Sequence, residues 1–200
     1  MRIIAGKHRG RAIRVPRTEG LRPTADRVRE SLFNILAHGI DWAGLEGARV
    51  IDAFAGTGAY GLEALSRGAT HVTFLDVDAA ALLAIRRNAA AIGEARNITL
   101  IKLDATRLPP PPGAAAAPCD LALLDPPYGS GLAHPALHGL ATRRWIGPGA
   151  VAVVEVAARE PLAPPPEFRM LDERVYGAAR LVFLQASVGQ ATSGESSSPR

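Results

Sequence analysis

Cysteine is nearly absent from this 200-residue chain: Cys119 stands alone, so no disulfide can form within it. The five histidines make no cluster with that cysteine at metal-ligand spacing, and no metal is expected. His134 and His138 could share a helix face, but no third ligand accompanies them. His8, His38, His71, His134 and His138 therefore read as surface or cap residues. Long apolar runs are missing too. Nothing approaches the ~20 residues of a membrane span, and the start has no signal-peptide core, which predicts a cytoplasmic protein with no membrane partner. Internal repeats are lacking. What remains is ordinary for a globular protein, 48% hydrophobic and 21% charged, at a length that suits one domain with a sizeable core. Residues 1–188 are expected to form that domain and the Ser/Gly-rich stretch 189–200 a disordered tail.

The most informative residues are Asp125-Pro126-Pro127-Tyr128, because they follow the apolar run Leu121 to Leu124. A carboxylate so placed ends a buried strand, where open α/β sheets bind ligands. Two prolines stop any regular element and leave carbonyls free to accept from a ligand. An acidic acceptor, a rigid Pro-Pro and an aromatic face suit a planar amine, with Asp125 and the Pro126 carbonyl taking N–H groups while Tyr128 stacks on the base. In that role the ring face of Tyr128 matters rather than its hydroxyl. The motif resembles the Asp/Asn-Pro-Pro-Tyr/Phe signature of methyltransferases that act on exocyclic or amide nitrogens.

Upstream, Arg49 to Phe54 reads as a strand and Ala55 to Gly61 as the opening of a helix that runs to Arg67 and stops at Gly68. Gly56, Gly58 and Gly61 satisfy G-x-G-x-x-G, and Asp76 ends the next strand, where a ribose-binding acid belongs. This pattern alone does not separate a dinucleotide from S-adenosylmethionine. Asp52 favours the latter, because a carboxylate repels pyrophosphate and attracts an α-ammonium. Gly61 can equally serve close helix–strand packing, and Asp78 looks like a helix N-cap. Asn97 to Leu103 forms a third strand ending at Asp104, either an acceptor for an adenine amino group or a turn aspartate. Asp52, Asp76, Asp104 and Asp125 thus end four successive strands, and a parallel sheet gathers them at one edge.

The first thirty residues hold nine Lys and Arg against three acids, a net +6, whereas the whole chain is +4 and the remainder therefore −2. Such polarity fits a phosphate-backbone partner, and arginine suits bidentate phosphate contacts. Met1 to Ile4 and Ala12 to Val15 look like a hairpin, so residues 1–20 are expected to form an ordered basic arm on a body with its own core. A helix should follow, with Thr24 as N-cap and Val28, Leu32, Ile35 and Leu36 facing inward up to Gly39.

Taken in order, Arg2-Ile3-Ile4-Ala5-Gly6-Lys7, Arg9-Gly10-Arg11, Gly20-Leu21-Arg22-Pro23-Thr24, Asp26 to Glu30, Asp52 to Gly58 and Asp125 to Tyr128 resemble the RsmD family, the bacterial 16S ribosomal RNA guanine-N2 methyltransferases. The likeness runs from the first residue to about Gln185. It implies methylation of one guanine amino group in 16S rRNA, in the 30S subunit or an assembly intermediate, by a monomer that uses S-adenosyl-L-methionine. Carried over residue by residue, it assigns Asp125, Pro126 and Tyr128 to catalysis. Asp52, Phe54, Gly56, Thr57, Gly58, Asp76 and Asp104 fall to the cofactor, and Arg2, Lys7, Arg9, Arg11, Arg14, Arg22 and Arg27 to RNA. Departures are few. Ala5 stands where a second glycine is common, Tyr128 stands in place of a phenylalanine, and 109–118 is an unusually Pro/Ala-rich surface loop.

Gly149 to Val156 completes the parallel strands behind a helix near 132–143, and two more strands, about 168–176 and 180–187, meet at Gly177-Ala178 as an antiparallel hairpin. The expected fold is an α/β, Rossmann-like class I methyltransferase with a seven-stranded, mostly parallel sheet. An adenine-N6 or glutamine-N5 methyltransferase shares the same grip on nitrogen, although the basic amino terminus disfavours the latter. A nicotinamide oxidoreductase would continue with parallel strands, and an RNA-binding module without activity would need no such site.

Overall fold

A computed structural model describes residues 1–14 and 23–187, with 23–25 described by backbone alone. Arg17, Arg22 and the expected tail lie outside the described residues. Among the described residues there are seven strands, β1 (Arg49–Ala53), β2 (His71–Asp76), β3 (Ile98–Lys102), β4 (Cys119–Leu124), β5 (Ile146–Ala157), β6 (Phe168–Tyr176) and β7 (Ala179–Ala186). They form one sheet in the order β3-β2-β1-β4-β5-β7-β6. The first five run parallel, and β7 pairs antiparallel with both β5 and β6. Strand order reverses between β1 and β4, which opens a crevice beyond their carboxyl ends.

The central strands read as apolar runs because both faces are covered. Val50, Leu121, Leu123, Val151 and Val153 pack under helices α1 (Pro23–His38), α2 (Ala59–Ser66) and α3 (Ala79–Ala91). Ile51, Ala53, Ala122, Leu124, Ala152 and Val154 face α4 (Ala133–Thr142) and the chain before β4. At the sheet edge β6 exposes Arg169, Glu173 and Arg174, charges that discourage further strand pairing.

Four expectations change. Helix α1 begins at Pro23, so Thr24 lies within it and is not its cap. Proline suits a first helical position because its missing N–H would have had no intrahelical partner. The Pro/Ala-rich loop is not merely superficial: Ala115 is buried in a short 3-10 turn, Gly113–Ala115. Distant side chains supply its donors: Thr99 Oγ1 of β3 donates to the Ala114 carbonyl at 2.7 Å, Thr73 Oγ1 of β2 to Ala115 at 2.6 Å and Trp145 Nε1, just before β5, to Pro109 at 2.7 Å. Alanine and proline bring no polar side chains, so donors to these carbonyls let the loop cover an apolar face.

Among the described residues the amino-terminal hairpin has one ladder bridge, Arg2 with Ala12, flanked by turn hydrogen bonds such as Ile3 N–H to the Arg11 carbonyl at 2.9 Å. It is also no separable arm, because Ile3 and Ile13 are buried in the core with α1 and α2. The fully buried Glu63 carboxylate accepts from the Ile4 and Ala5 N–H groups at 2.8 and 3.0 Å, and from Arg67 Nε at 2.7 Å. Burying a carboxylate is tolerable only with such donors around it. Asn88 of α3 completes the anchorage, donating to the Arg14 carbonyl and accepting from the Arg14 N–H, each at 3.0 Å.

Candidate active site

The turn after β1 is built for close approach. Phe54, Gly56 and Gly58 all have positive φ, 67°, 49° and 76°. A phenylalanine in that region is strained, a feature that concentrates at functional loops. The glycines have different physical reasons. A Cβ on Gly58 would lie 2.8 Å from Ile85, and one on Gly61 would lie 2.3 Å from the Phe74 ring. Gly56 meets only the Phe54 carbonyl at 3.9 Å, so its constraint is conformational and the space in front of it is open. Thr57 Oγ1 faces Met1 Sδ at 3.9 Å, which brings the hairpin to the rim of this turn.

Acids surround the turn. Asp52 is buried and accepts from the Gly61 N–H at 2.9 Å. Burial raises its carboxyl pKa well above the usual range; the Gly61 bond opposes the rise, and the nearby Asp125 and Asp76 charges reinforce it. Asp76 accepts from Gly56 N–H at 2.7 Å and from Asp78 N–H at 2.8 Å, which ties the ends of β1 and β2 together. Asp78 does cap α3, accepting from Ala80 N–H. Asp104 Oδ1 closes its own turn by accepting from the Thr106 hydroxyl at 2.7 Å and N–H at 2.9 Å, bonds that hold its pKa below the usual range.

Beyond β4, Asp125 is exposed, Pro126 is buried and Tyr128 is half-exposed. The Tyr128 hydroxyl, to which the sequence assigns no role, donates to Glu155 Oε1 at 2.7 Å. Glu155 also accepts from the Tyr60 hydroxyl through Oε2. Burial, then the negative Glu155 and Asp125, push the Tyr60 hydroxyl pKa well up. Sequence reasoning missed Glu155 and Tyr60. The signal was a lone acid within the apolar strand Val151 to Val156, but only the register shows its place: Leu124 pairs with Val154, so Asp125 and Glu155 follow side by side.

Of the basic residues singled out, Arg2, Lys7, Arg9, Arg11, Arg14 and Arg27 are exposed and Arg22 lies outside the described residues. Lys7 pairs with Glu94 at 2.7 Å, and Arg11 donates to the Ala91 carbonyl at 2.8 Å. Arg29 is no surface cation: it is buried, pairs with Asp26 at 3.0 Å and donates to the Arg2 carbonyl. Among the described residues no group of acids, histidines or cysteine could hold a metal, and no helix is long and apolar enough to cross a membrane. His134 and His138 instead meet the Ala163 carbonyl and Glu167. Cys119 is buried, and its thiol pKa is pushed up to about 12.

A strand-end crevice with this turn on one side and Asp125 to Tyr128 on the other agrees with what the chain is similar to. The model of a family described as Conserved hypothetical protein 95 matches residues 1–185. The chain belongs to that family. Ribosomal RNA small subunit methyltransferase D of Haemophilus influenzae is 37% identical to it over 181 residues, 88% of this chain and 89% of the relative. The protein of the same name from Escherichia coli K12 is 39% identical over 155 residues, 78% and 74% of the two chains. A solved structure of an E. coli methyltransferase candidate superposes with a TM-score of 0.76 at 34% identity, covering 94% of this chain and 98% of the other. A methylase candidate from H. influenzae gives 0.70 at 31% identity, with 93% and 98% covered. Family and fold make this a class I methyltransferase.

Proposed function

We propose that this enzyme transfers a methyl group from S-adenosyl-L-methionine to the exocyclic N2 of a specific guanine in 16S rRNA. The observation that carries the reading is the apposition of two sites across the sheet's switch point, the Asp52–Gly58 turn on β1 and Asp125 to Tyr128 on β4. The first site fits the methyl donor. Asp52 is a buried acid crowded by two others, and the donor's α-ammonium would offset that charge. Gly56 leaves room for backbone approach, Asp76, held beside it by the Gly56 N–H, would accept from ribose hydroxyls, and Asp104, just past the end of β3, would accept from an adenine amino group. When bound, S-adenosylmethionine supplies an electrophilic methyl on a sulfonium.

The second site would prepare the nucleophile. An exocyclic guanine nitrogen is weakly nucleophilic because its lone pair is delocalised into the ring. Acceptors at Asp125 and the Pro126 carbonyl would hold its N–H groups and turn the lone pair toward the methyl, so positioning is most of the catalysis. The Tyr128 ring would stack on the base and offset part of the cost of unstacking it. Asp125 is exposed and can pass the surplus proton to water. The exposed arginines of the hairpin supply phosphate contacts that position RNA without reading sequence. The substrate would be the small subunit or an assembly intermediate, met by a monomer in the cytoplasm.

Mass spectrometry of 16S rRNA nucleosides from a strain deleted for this protein tests the reading. N2-methylguanosine should fall by one site and return on complementation. Loss of N6-methyladenosine instead, or no change at all, would overturn it.

A further inference from the structure

Glu155 lies within β5, one position past the Leu124–Val154 pair, and so beside Asp125. Along β5, Val151 and Val153 face the helices α1 to α3, and alternation puts Glu155 on that same face. Tyr60, in the first turn of α2, meets it there. The three groups form a chain from helix to strand to loop: Tyr60 hydroxyl to Glu155, Glu155 to Tyr128 hydroxyl. Tyr60 and Glu155 sit on regular elements, whereas Tyr128 lies in the loop after β4 and is 45% exposed. Fixing an exposed ring on a loop before a base arrives removes an ordering cost from the reaction.

We infer that Glu155 is a positioning residue, which, held by Tyr60, fixes the Tyr128 ring in the orientation that receives the target base. The inference rests on the proposed reading of Tyr128 as a stacking platform. One carboxylate serves both hydroxyls, so the hydroxyl of Tyr128 has a function distinct from that of its ring face. It follows that Tyr128→Phe, which keeps the ring and loses the hydrogen bond, lowers the rate.

The test measures methyl transfer to unmethylated small subunits for Tyr128→Phe, Glu155→Ala, Glu155→Gln and the Tyr128→Phe/Glu155→Ala pair, with Tyr128→Ala as reference. Tyr128→Phe and Glu155→Ala should each lower kcat on the order of tenfold, as for a lost hydrogen bond to a charged group. Affinity for S-adenosylhomocysteine and the thermal midpoint should stay at wild-type values in Tyr128→Phe, which separates positioning from folding. Glu155→Gln keeps one carbonyl acceptor and should recover part of the rate. The double variant should be no slower than the worse single one, because both break the same chain. Wild-type kcat in Tyr128→Phe, or additive losses in the double variant, would overturn the positioning role even where Tyr128→Ala is slow. An undiminished rate in Tyr128→Ala would instead remove the platform reading itself. Should Glu155→Ala fail to fold, Tyr128→Phe alone decides.

Discussion

Asp52 and Asp125 belong to adjacent parallel strands, one on each side of the point where strand order reverses, and their surroundings are opposite. Asp52 lies within its strand under α2, is closed off from solvent and is bound by a helix N–H. Asp125 lies just past the end of its strand, exposed, on a loop stiffened by two prolines. The difference teaches that depth gives equal residue types on neighbouring strands different electrostatics. A buried acid carries unfavourable charge that a bound cation would relieve, whereas an exposed one keeps its charge at lower cost.

The largest expected effect breaks the exposed side of that comparison. Asp125→Ala should lower kcat by roughly 10²–10³-fold, the scale of removing one preorganised polar group from a reacting centre. Calorimetry should still find S-adenosylhomocysteine binding within a few fold of wild type. If cofactor binding collapses with activity, Asp125 belongs to the same site as Asp52 and the division fails.

Asp76→Ala should act in the reverse sense, weakening cofactor affinity by about 1.5–3 kcal/mol, the worth of hydrogen bonds to a charged group. Part of that loss is structural, because Asp76 also holds the Gly56 and Asp78 N–H groups. Unchanged affinity would deny the ribose role.

Asp52→Asn sharpens the comparison through pH. Burial lifts the folded-state pKa of Asp52 above its unfolded value. The stability contributed by its protonated form is therefore complete below the unfolded pKa and is lost as pH rises through the folded one. At neutral pH the ligand-free variant should melt higher than wild type, by about 2–4 °C for each kcal/mol relieved. The gap should close toward the unfolded pKa of ~3.9. Cofactor affinity should fall at the same time. A variant that melts lower than wild type at neutral pH would show that the charge is already compensated.

The smallest effect concerns neither aspartate. Neutralising Arg9, Arg11 and Arg14 together should leave cofactor affinity unchanged and flatten the salt dependence of RNA affinity, by a log–log slope of roughly 0.7–0.9 for each phosphate no longer neutralised. Charge removal is the right test here. Deleting the hairpin would also remove Ile3 and Ile13 from the core, and each large core truncation costs about 2–5 kcal/mol.

Local pattern carried much of this protein. Strand runs, positive-φ glycines and the Asp-Pro-Pro-Tyr break depend on residues close together in the chain, so the parallel sheet, its carboxy-terminal hairpin and the acids at the strand ends were legible in the sequence. The Asp78 cap was legible for the same reason. Contacts between distant segments were not. Glu155 looked like a charged residue inside an apolar strand, and nothing in its neighbours names Tyr60, 95 positions away, as its partner. The hairpin's charge suggested a detachable arm, yet Glu63, 58 and 59 positions on, binds it to the body. The loop at 109–118 looked superficial because its donors, Thr73, Thr99 and Trp145, lie on other strands or beyond α4.

What the sequence determined by itself is the class of chemistry: backbone conformations that only glycine takes easily, a proline pair that ends a strand, and acids where a parallel sheet opens. Those are properties of residues and their immediate neighbours. The tertiary structure alone decided which acids are buried, which cations are already engaged by Glu94, Asp26 or Glu63, and that the Tyr128 hydroxyl has a partner. Solvent exclusion and ion pairing depend on what packs against a group, and that is set when distant segments fold together.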